Sequence, residues 1–313
     1  VPAPLLASKP QGSVASRIDQ PLVGMVLAVA AGLFFGCSDA LSKYLAPSLP
    51  TIQIVWMRWF GFLAIVIPTI IMSRGRVMRS RAMPIQIGRS LCLVGSSLFF
   101  VHGLGYLPLA SATTLSFVSP MLVTALSIPL LGEVVRARRW AAIAVGMLGV
   151  LVVVRPGTGA FDPAAVWPMV SATCWALGVI ATRRLAGVDP PWTAMCYSAV
   201  VGFAVLSVAV VPIFVMPTLA HVGIAALLAI AATAGQYLIV LAFQRAPASL
   251  LAPFTYLQLI WSTALGYLIF ANLPDAWTWT GAAIIVGSGL YTAHRERVRL
   301  REEHARRLNP RGA

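Results

Sequence analysis

Asp39 and Lys43 stand four residues apart in LFFGCSDALSKYL, a stretch that is otherwise almost wholly apolar. On a helix that spacing places a carboxylate and an ammonium on one face, where each can neutralise the other. Arg58 follows in the next apolar run as a second partner for Asp39, and Ser38 and Ser42 form a polar stripe beside Phe35. Two roles fit these charges. They can form a gate or a proton-coupling carboxylate, or they can be an ion pair that fixes the end of the first helix. Gly95, Phe99, His102 and Tyr106 recur at helical spacing, so an imidazole shares a face with two aromatic rings. His102 can carry a proton or bond a carboxylate. A neutral histidine bonded to a serine on a neighbouring helix is the alternative.

Farther along, Ser171, Trp175, Gly178 and Thr182 share a helix face, with Trp175 as a cavity wall or a lipid contact. Ser119, Gln236, Tyr237 and Gln258 are polar groups deep in apolar runs, suited to lining a pocket or to bonding between helices. Pro120 and Pro253 each remove a helix hydrogen bond and free carbonyls that can meet an ammonium group. Catalytic chemistry has little to work with. One Asp and one His lack a second carboxylate or metal-ligand spacing, so no metal or cofactor is expected, and an enzyme acting on membrane lipid is disfavoured. The cysteines Cys37, Cys92, Cys174 and Cys196 all lie in apolar runs and read as packing residues.

These side chains must be positioned by membrane helices. The 313 residues are 59% hydrophobic and 10% charged, against about 25% charged in soluble domains. The net charge of +14 suggests a membrane face, and nucleic acid is not expected as a partner, because the basic residues fall in short loops and a tail between apolar runs. A span needs about 20 apolar residues. Candidates are 22–45, 51–72, 84–106, 109–131, 138–154, 164–186, 191–215, 220–244, 247–270 and 276–293, ten helices in all. The first is too long for a signal peptide and reads as a retained helix. Residues 1–20 read as a disordered tail, and residues 294–313 as a basic, frayed cytoplasmic tail. With the N-terminus inside, all but Lys43, Arg58 and Arg155 of the 23 basic residues fall on the inner side, so both termini are expected in the cytoplasm. Glu133, beside Arg136, Arg138 and Arg139, reads as part of an inner-surface salt-bridge cluster, and His221 as interfacial.

The chain also repeats itself. LGYLPLASATTLSFVSPMLVTALSIPLLGE, Leu104 to Glu133, returns as FQRAPASLLAPFTYLQLIWSTALGYLIFAN, Phe243 to Asn272, at a shift of 139. Trp140 falls on Trp279 at the same shift, and Gly61-Phe62 on Gly202-Phe203 at 141. At 140, Trp175 falls on Phe35, so both copies offer an aromatic wall. The expected fold is therefore all-α and polytopic, with ten transmembrane helices in two five-helix repeats, 21–155 and 156–293, around a central cavity. An odd number of crossings inverts the second repeat, as in transporters that bind substrate near the midplane. Gly146 and Gly149 in the fifth helix, with Gly287 and Gly289 in the tenth, suit close packing or a homodimer.

Ten helices, two repeats and the Pro-Leu-Ala-Ser-Ala…Ser-Pro…Leu-Leu-Gly-Glu run at 108–133 resemble the EamA family of the drug/metabolite transporter superfamily, over roughly residues 22–293. Within it, Cys174-Trp175-Ala176 makes the chain most similar to bacterial amino-acid exporters, the aromatic amino-acid exporters included. Ser119 stands where that group implies an aromatic residue, and Asn272 where the first copy has Glu133. The resemblance implies export of aromatic or other hydrophobic amino acids, or related small metabolites, across the bacterial inner membrane by alternating access. No nucleotide-binding loop is present, so the driving force is a gradient. Sugars or nucleotide sugars, or flipping of a lipid-linked substrate, are the alternative.

Overall fold

The computed structural model describes residues 21–132, 137–157, 162–185, 187–246 and 248–308. The expectations placed on residues 1–20 and on the Glu133 cluster fall outside them. Among the described residues no strand occurs, and the longer elements are twelve α-helices. They are α1 (Pro21–Leu45), α2 (Thr51–Met72), α3 (Met83–Leu104), α4 (Leu109–Ser116), α5 (Ser119–Leu131) and α6 (Ala137–Val154). The remainder are α7 (Val166–Leu185), α8 (Pro191–Val210), α9 (Leu219–Arg245), α10 (Ala248–Thr255), α11 (Gln258–Phe270) and α12 (Ala276–Leu308). Seven stretches among the described residues are long and apolar enough to cross a membrane, and Trp140–Val154 is a shorter apolar helix. Proline sets several of the starts. Pro50, Pro108 and Pro190 hold extended backbone, with ψ of 140°, 144° and 148°, immediately ahead of α2, α4 and α8. A proline there gives up no helical hydrogen bond. The basic C-terminal stretch is not a separate element, since α12 runs unbroken from the apolar segment to Leu308.

Two of the expected spans are each divided in two. α4 gives way to α5 at Phe117-Val118, and α10 to α11 at Tyr256-Leu257. Pro120 cannot donate to the preceding turn and sits in the first turn of α5, where no donor is needed. Pro253 lies inside α10, three residues ahead of its break, and removes a hydrogen bond there. The two breaks are 139 residues apart, the same shift that relates the repeated sequences. The ends of α5 and α11 match as well. Gly132 (φ 70°) and Ala271 (φ 54°), also 139 residues apart, both close their helices in the left-handed conformation.

The packing follows the same exchange. α1 lies along α9 as α7 lies along α3, and α1 meets α11 as α7 meets α5. α2 meets both α8 and α9, α3 meets α8, and α6 pairs with α12. Glycines at matched positions allow the two main approaches. The Phe35 ring of α1 lies against Gly235 of α9, and Cys174 of α7 against Gly95 of α3. The largest apolar cluster, including Leu104, Leu109, Leu115, Val118, Val150 and Ile285, fills the space around α4 and reaches both α6 and α12. A second, around Trp59, Val94, Leu206 and Leu228, joins α2, α3, α8 and α9. The divided helices thus rest on continuous ones from both halves.

Polar contacts collect at the two ends of the bundle. Where α1 ends and α2 begins, Lys43 reaches the α3–α4 turn, and the Gln53 amide exchanges hydrogen bonds with the Val215 backbone (2.6 and 2.9 Å). At the opposite end Asp189 accepts from the Ser80 hydroxyl (2.5 Å), the Gln86 amide (2.9 Å) and the Arg81 N–H (3.1 Å). These bonds fasten the α7–α8 turn to the α2–α3 turn, and they hold the Asp189 carboxyl below its usual range, Ser80 contributing most.

Candidate functional site

The two helix breaks meet. Phe117 and Tyr256, the matched residues of the two interruptions, lie with ring centroids 5.0 Å apart at 53°. An interrupted helix inside a bundle exposes backbone groups that a continuous helix would bond internally, and such places suit a polar ligand. Tyr256 is buried, its hydroxyl end directed against Gly289 of α12. Tyr256 stands out in its apolar run by its hydroxyl, whereas Phe117 carries no polar group. The 139-residue shift pairs them, and that was the signal available.

Two residues past Tyr256, Gln258 opens α11 and reaches a buried carboxylate. Its Nε2 donates to Asp39 Oδ2 at 3.4 Å, while Arg58 Nη1 of α2 stands 3.8 Å from Asp39 Oδ1. Gly36, one turn before Asp39, lies against the Trp261 Cβ and so brings α11 close to this face of α1. Asp39 is 5% exposed, and its charge is therefore compensated by protein groups. Arg58, read from the sequence as a second partner for Asp39, lies beside it, and Gln258 of α11 joins the pair.

Lys43 does not join them. The expected pairing with Asp39 is replaced by two hydrogen bonds from Nζ to the carbonyls of Leu104 (2.8 Å) and Leu107 (2.6 Å), with Nζ also 5.6 Å above the Phe270 ring. The end of α3 leaves carbonyls without helical donors, and an ammonium one turn beyond Asp39 is within reach of them. Ser42 bonds back to the Ser38 carbonyl within its own helix (2.9 Å), and both serines are fully buried. Among the described residues, the Ser38 hydroxyl of α1 and the Trp261 indole N–H of α11 are buried without a hydrogen-bond partner.

His102 sits in an aromatic cluster. Its ring meets Tyr106 (5.2 Å) and Trp167 (4.8 Å) edge to face, and Phe99 stacks on Trp167 at 5.9 Å and 7°. Its hydrogen-bond partner is the Thr51 hydroxyl at the start of α2, 3.3 Å from Nδ1, rather than a serine. Trp167 was not expected here. It opens α7 next to Pro168, and nothing in the local pattern shows that α7 starts where α3 ends.

The remaining candidates are apart from these groups. Trp175 and Tyr237 are half-exposed on α7 and α9, with no ring partner among the described contacts. Ser119 is half-buried at the start of α5, and Pro120 and Pro253 face outward. Gly146, Gly149 and Gly289 are occupied within the chain, by Met121, Ile285 and Tyr256, whereas Gly287 faces open space. Among the described residues no cluster of His, Cys, Asp or Glu fit to hold a metal occurs. An arginine that sequence placed on the inner surface proves half-buried. Arg89 donates to Thr182 Oγ1 (2.6 Å), Ser198 Oγ (2.7 Å) and the Ala194 carbonyl (3.0 Å), joining α3, α7 and α8.

Known proteins share this architecture. A solved structure superposes with a TM-score of 0.62 at 21% identity, covering 88% of this chain and 98% of its own. The S-adenosylmethionine uptake transporter of Rickettsia bellii is 26% identical over 260 residues, 83% of this chain and 89% of the relative. The riboflavin transporter of Rhizobium johnstonii is 27% identical over 300 residues, 93% and 98% of the two chains. The pseudopaline exporter of Pseudomonas aeruginosa is 27% identical over 270 residues, 84% and 93%. These names differ from the amino-acid exporters that the sequence resemblance singled out. The EamA-like transporter family model matches twice, over residues 22–155 and 162–292, and this chain, a multi-pass membrane transporter, belongs to that family.

Proposed function

We propose that the chain is a secondary transporter of amino acids, aromatic ones foremost, and of related zwitterionic metabolites that carry a planar ring. It works by alternating access between two inverted repeats, residues 21–155 and 156–293, in a bacterial inner membrane with both termini cytoplasmic. Taking α4 with α5 and α10 with α11 as one crossing each gives ten crossings, five per repeat. An odd number reverses the second repeat, and exchanging the two repeats' conformations then exchanges which side is open.

The observation that carries this is the meeting of the two breaks at Phe117 and Tyr256, two residues ahead of Gln258, which reaches Asp39 and its partner Arg58. A zwitterion needs an acceptor for its ammonium group and a donor for its carboxylate. Asp39 with the carbonyls at the breaks supplies the first, and Arg58 with Gln258 the second. Phe117 and Tyr256 offer faces to a ring. Two relatives' names point the same way, since S-adenosylmethionine is an amino acid bearing an adenosyl ring and riboflavin is planar. The names include uptake and export, and the direction here, proposed as export, follows the gradient of substrate or of a coupled proton carried by Asp39 or His102.

Counterflow tests it. Proteoliposomes are loaded with unlabelled amino acids, S-adenosylmethionine and riboflavin, and each labelled compound is offered outside in turn. Uptake of a ring-bearing amino acid or of S-adenosylmethionine is expected, falling at least tenfold in Asp39→Asn and in Tyr256→Ala. No exchange of any of these by folded protein, or exchange of sugars alone, would overturn the assignment.

A further inference from the structure

α6 and α12 cross closely, yet toward the start of α6 they part to leave a groove of about 320 Å³ lined by Ala141, Ala142, Val145, Gly287, Ser288 and Tyr291. Its floor is made of small residues, and its one buried hydroxyl is already used, Ser288 donating to the Ala142 carbonyl at 2.6 Å. Nothing on that floor asks for a polar ligand. The mouth is different. Arg138 stands at the register position one turn before Ala141 and Ala142, and Arg295 one turn after Tyr291, so each helix carries an arginine position in line with the groove. Arg136 and Arg139 flank the first, and Arg297 and Arg299 follow the second. Trp140 and Tyr291 are both exposed there, and exposed Trp and Tyr mark the headgroup level of a bilayer. An apolar slot below that level and cations at it match a lipid with a negative headgroup.

We propose that this groove is a binding site for one anionic phospholipid, an acyl chain lying between α6 and α12 and the phosphate held by the Arg138 and Arg295 end. A second copy of the chain fits less well. Two copies sharing one orientation in the membrane would set the same arginine-bearing ends against each other, and like charges across an interface are costly.

The test is native mass spectrometry of the full chain taken from nanodiscs of phosphatidylglycerol or of phosphatidylcholine. One phosphatidylglycerol per chain is expected to survive activation that strips phosphatidylcholine. The double variant Arg138→Gln, Arg295→Gln should lower that retention by about tenfold or more. Among the described residues Gly287 has no neighbour within 4 Å of an added Cβ, so Gly287→Leu is expected to fold while its side chain occupies the slot. It should lose retention of phosphatidylglycerol with both arginines in place. Equal retention of the two lipids by the native chain, or undiminished retention by either variant, would overturn the proposal. So would a native dimer that Gly287→Leu splits, which would give the groove to a second copy.

Discussion

The two ends of this bundle are tied by different chemistry. Toward one end Asp39, Arg58 and Gln258 join α1, α2 and α11 through a buried carboxylate. Toward the other, Arg89 joins α3, α7 and α8 through two hydroxyls and a carbonyl. The frame is nearly symmetric but the charges are not. At the repeat shifts Asp39 corresponds to Val179, Arg58 to Ala199 and Gln258 to Ser119. A buried ion pair loses strongly when one partner is removed, because the other charge is left without compensation. A half-exposed arginine bonded to neutral groups can turn to water when one of them is lost. The first end should therefore behave as a latch with two states, and the second as a graded contact.

The sharpest way to break that contrast is Arg58→Leu. It strands the Asp39 carboxylate, and the expected loss is about 3–5 kcal/mol, read as thermal unfolding in detergent. Asp39→Asn combined with Arg58→Leu should recover most of it, and a combination no better than the single variant would remove the ion pair from the account. Arg89→Leu should cost less, about 1–3 kcal/mol. An equal loss at the two ends would erase the distinction. Lys43→Met removes two bonds to carbonyls and should cost about 1 kcal/mol. Ala271→Gly works in the other direction. Ala271 holds φ of 54° where the matched residue is Gly132, so the change should raise stability by about 1 kcal/mol.

Asp189 gives the smallest effect, one of pH. Its carboxyl is held below the usual range by Ser80 and Gln86, so the tie it makes is fully present above the ordinary Asp value near 4. The tie weakens as pH falls through the lowered folded-state value. Removing it by Asp189→Asn should abolish this acid loss while leaving stability at pH 7 to 9 flat with pH.

Much of the frame was legible in the sequence because membrane spans write themselves as long apolar runs and because the repeat shift is nearly constant. The ends of α2 and α6 and the start of α8 follow from proline and from hydropathy alone. The partners of single polar groups were harder. Asp39 and Lys43 share a helix face, yet Lys43 turns to the free carbonyls of α3, which only the folded arrangement brings near. Trp167 joins Phe99 and His102 because the start of α7 lies against the end of α3, a pairing between halves that local periodicity cannot express. Phe117 and Tyr256 were within reach, since the shift of 139 that aligned Ser119 with Gln258 also aligns them. Tyr256 stands out by its hydroxyl, but Phe117 does not, because aromatic residues are common in any apolar helix.

Alternating access with an ionic latch at one end is the central claim, and paired distances test it most directly. Spin labels would be placed at Ser48 and Thr218 for the latched end, and at Arg79 and Val188 for the other, in protein freed of its four cysteines. Double electron–electron resonance would compare the native latch with Asp39→Asn, Arg58→Leu. The account predicts that releasing the latch lengthens the Ser48–Thr218 distance while the Arg79–Val188 distance shortens or holds. Two ends that lengthen together, or a Ser48–Thr218 distance unmoved by loss of the latch, would contradict it.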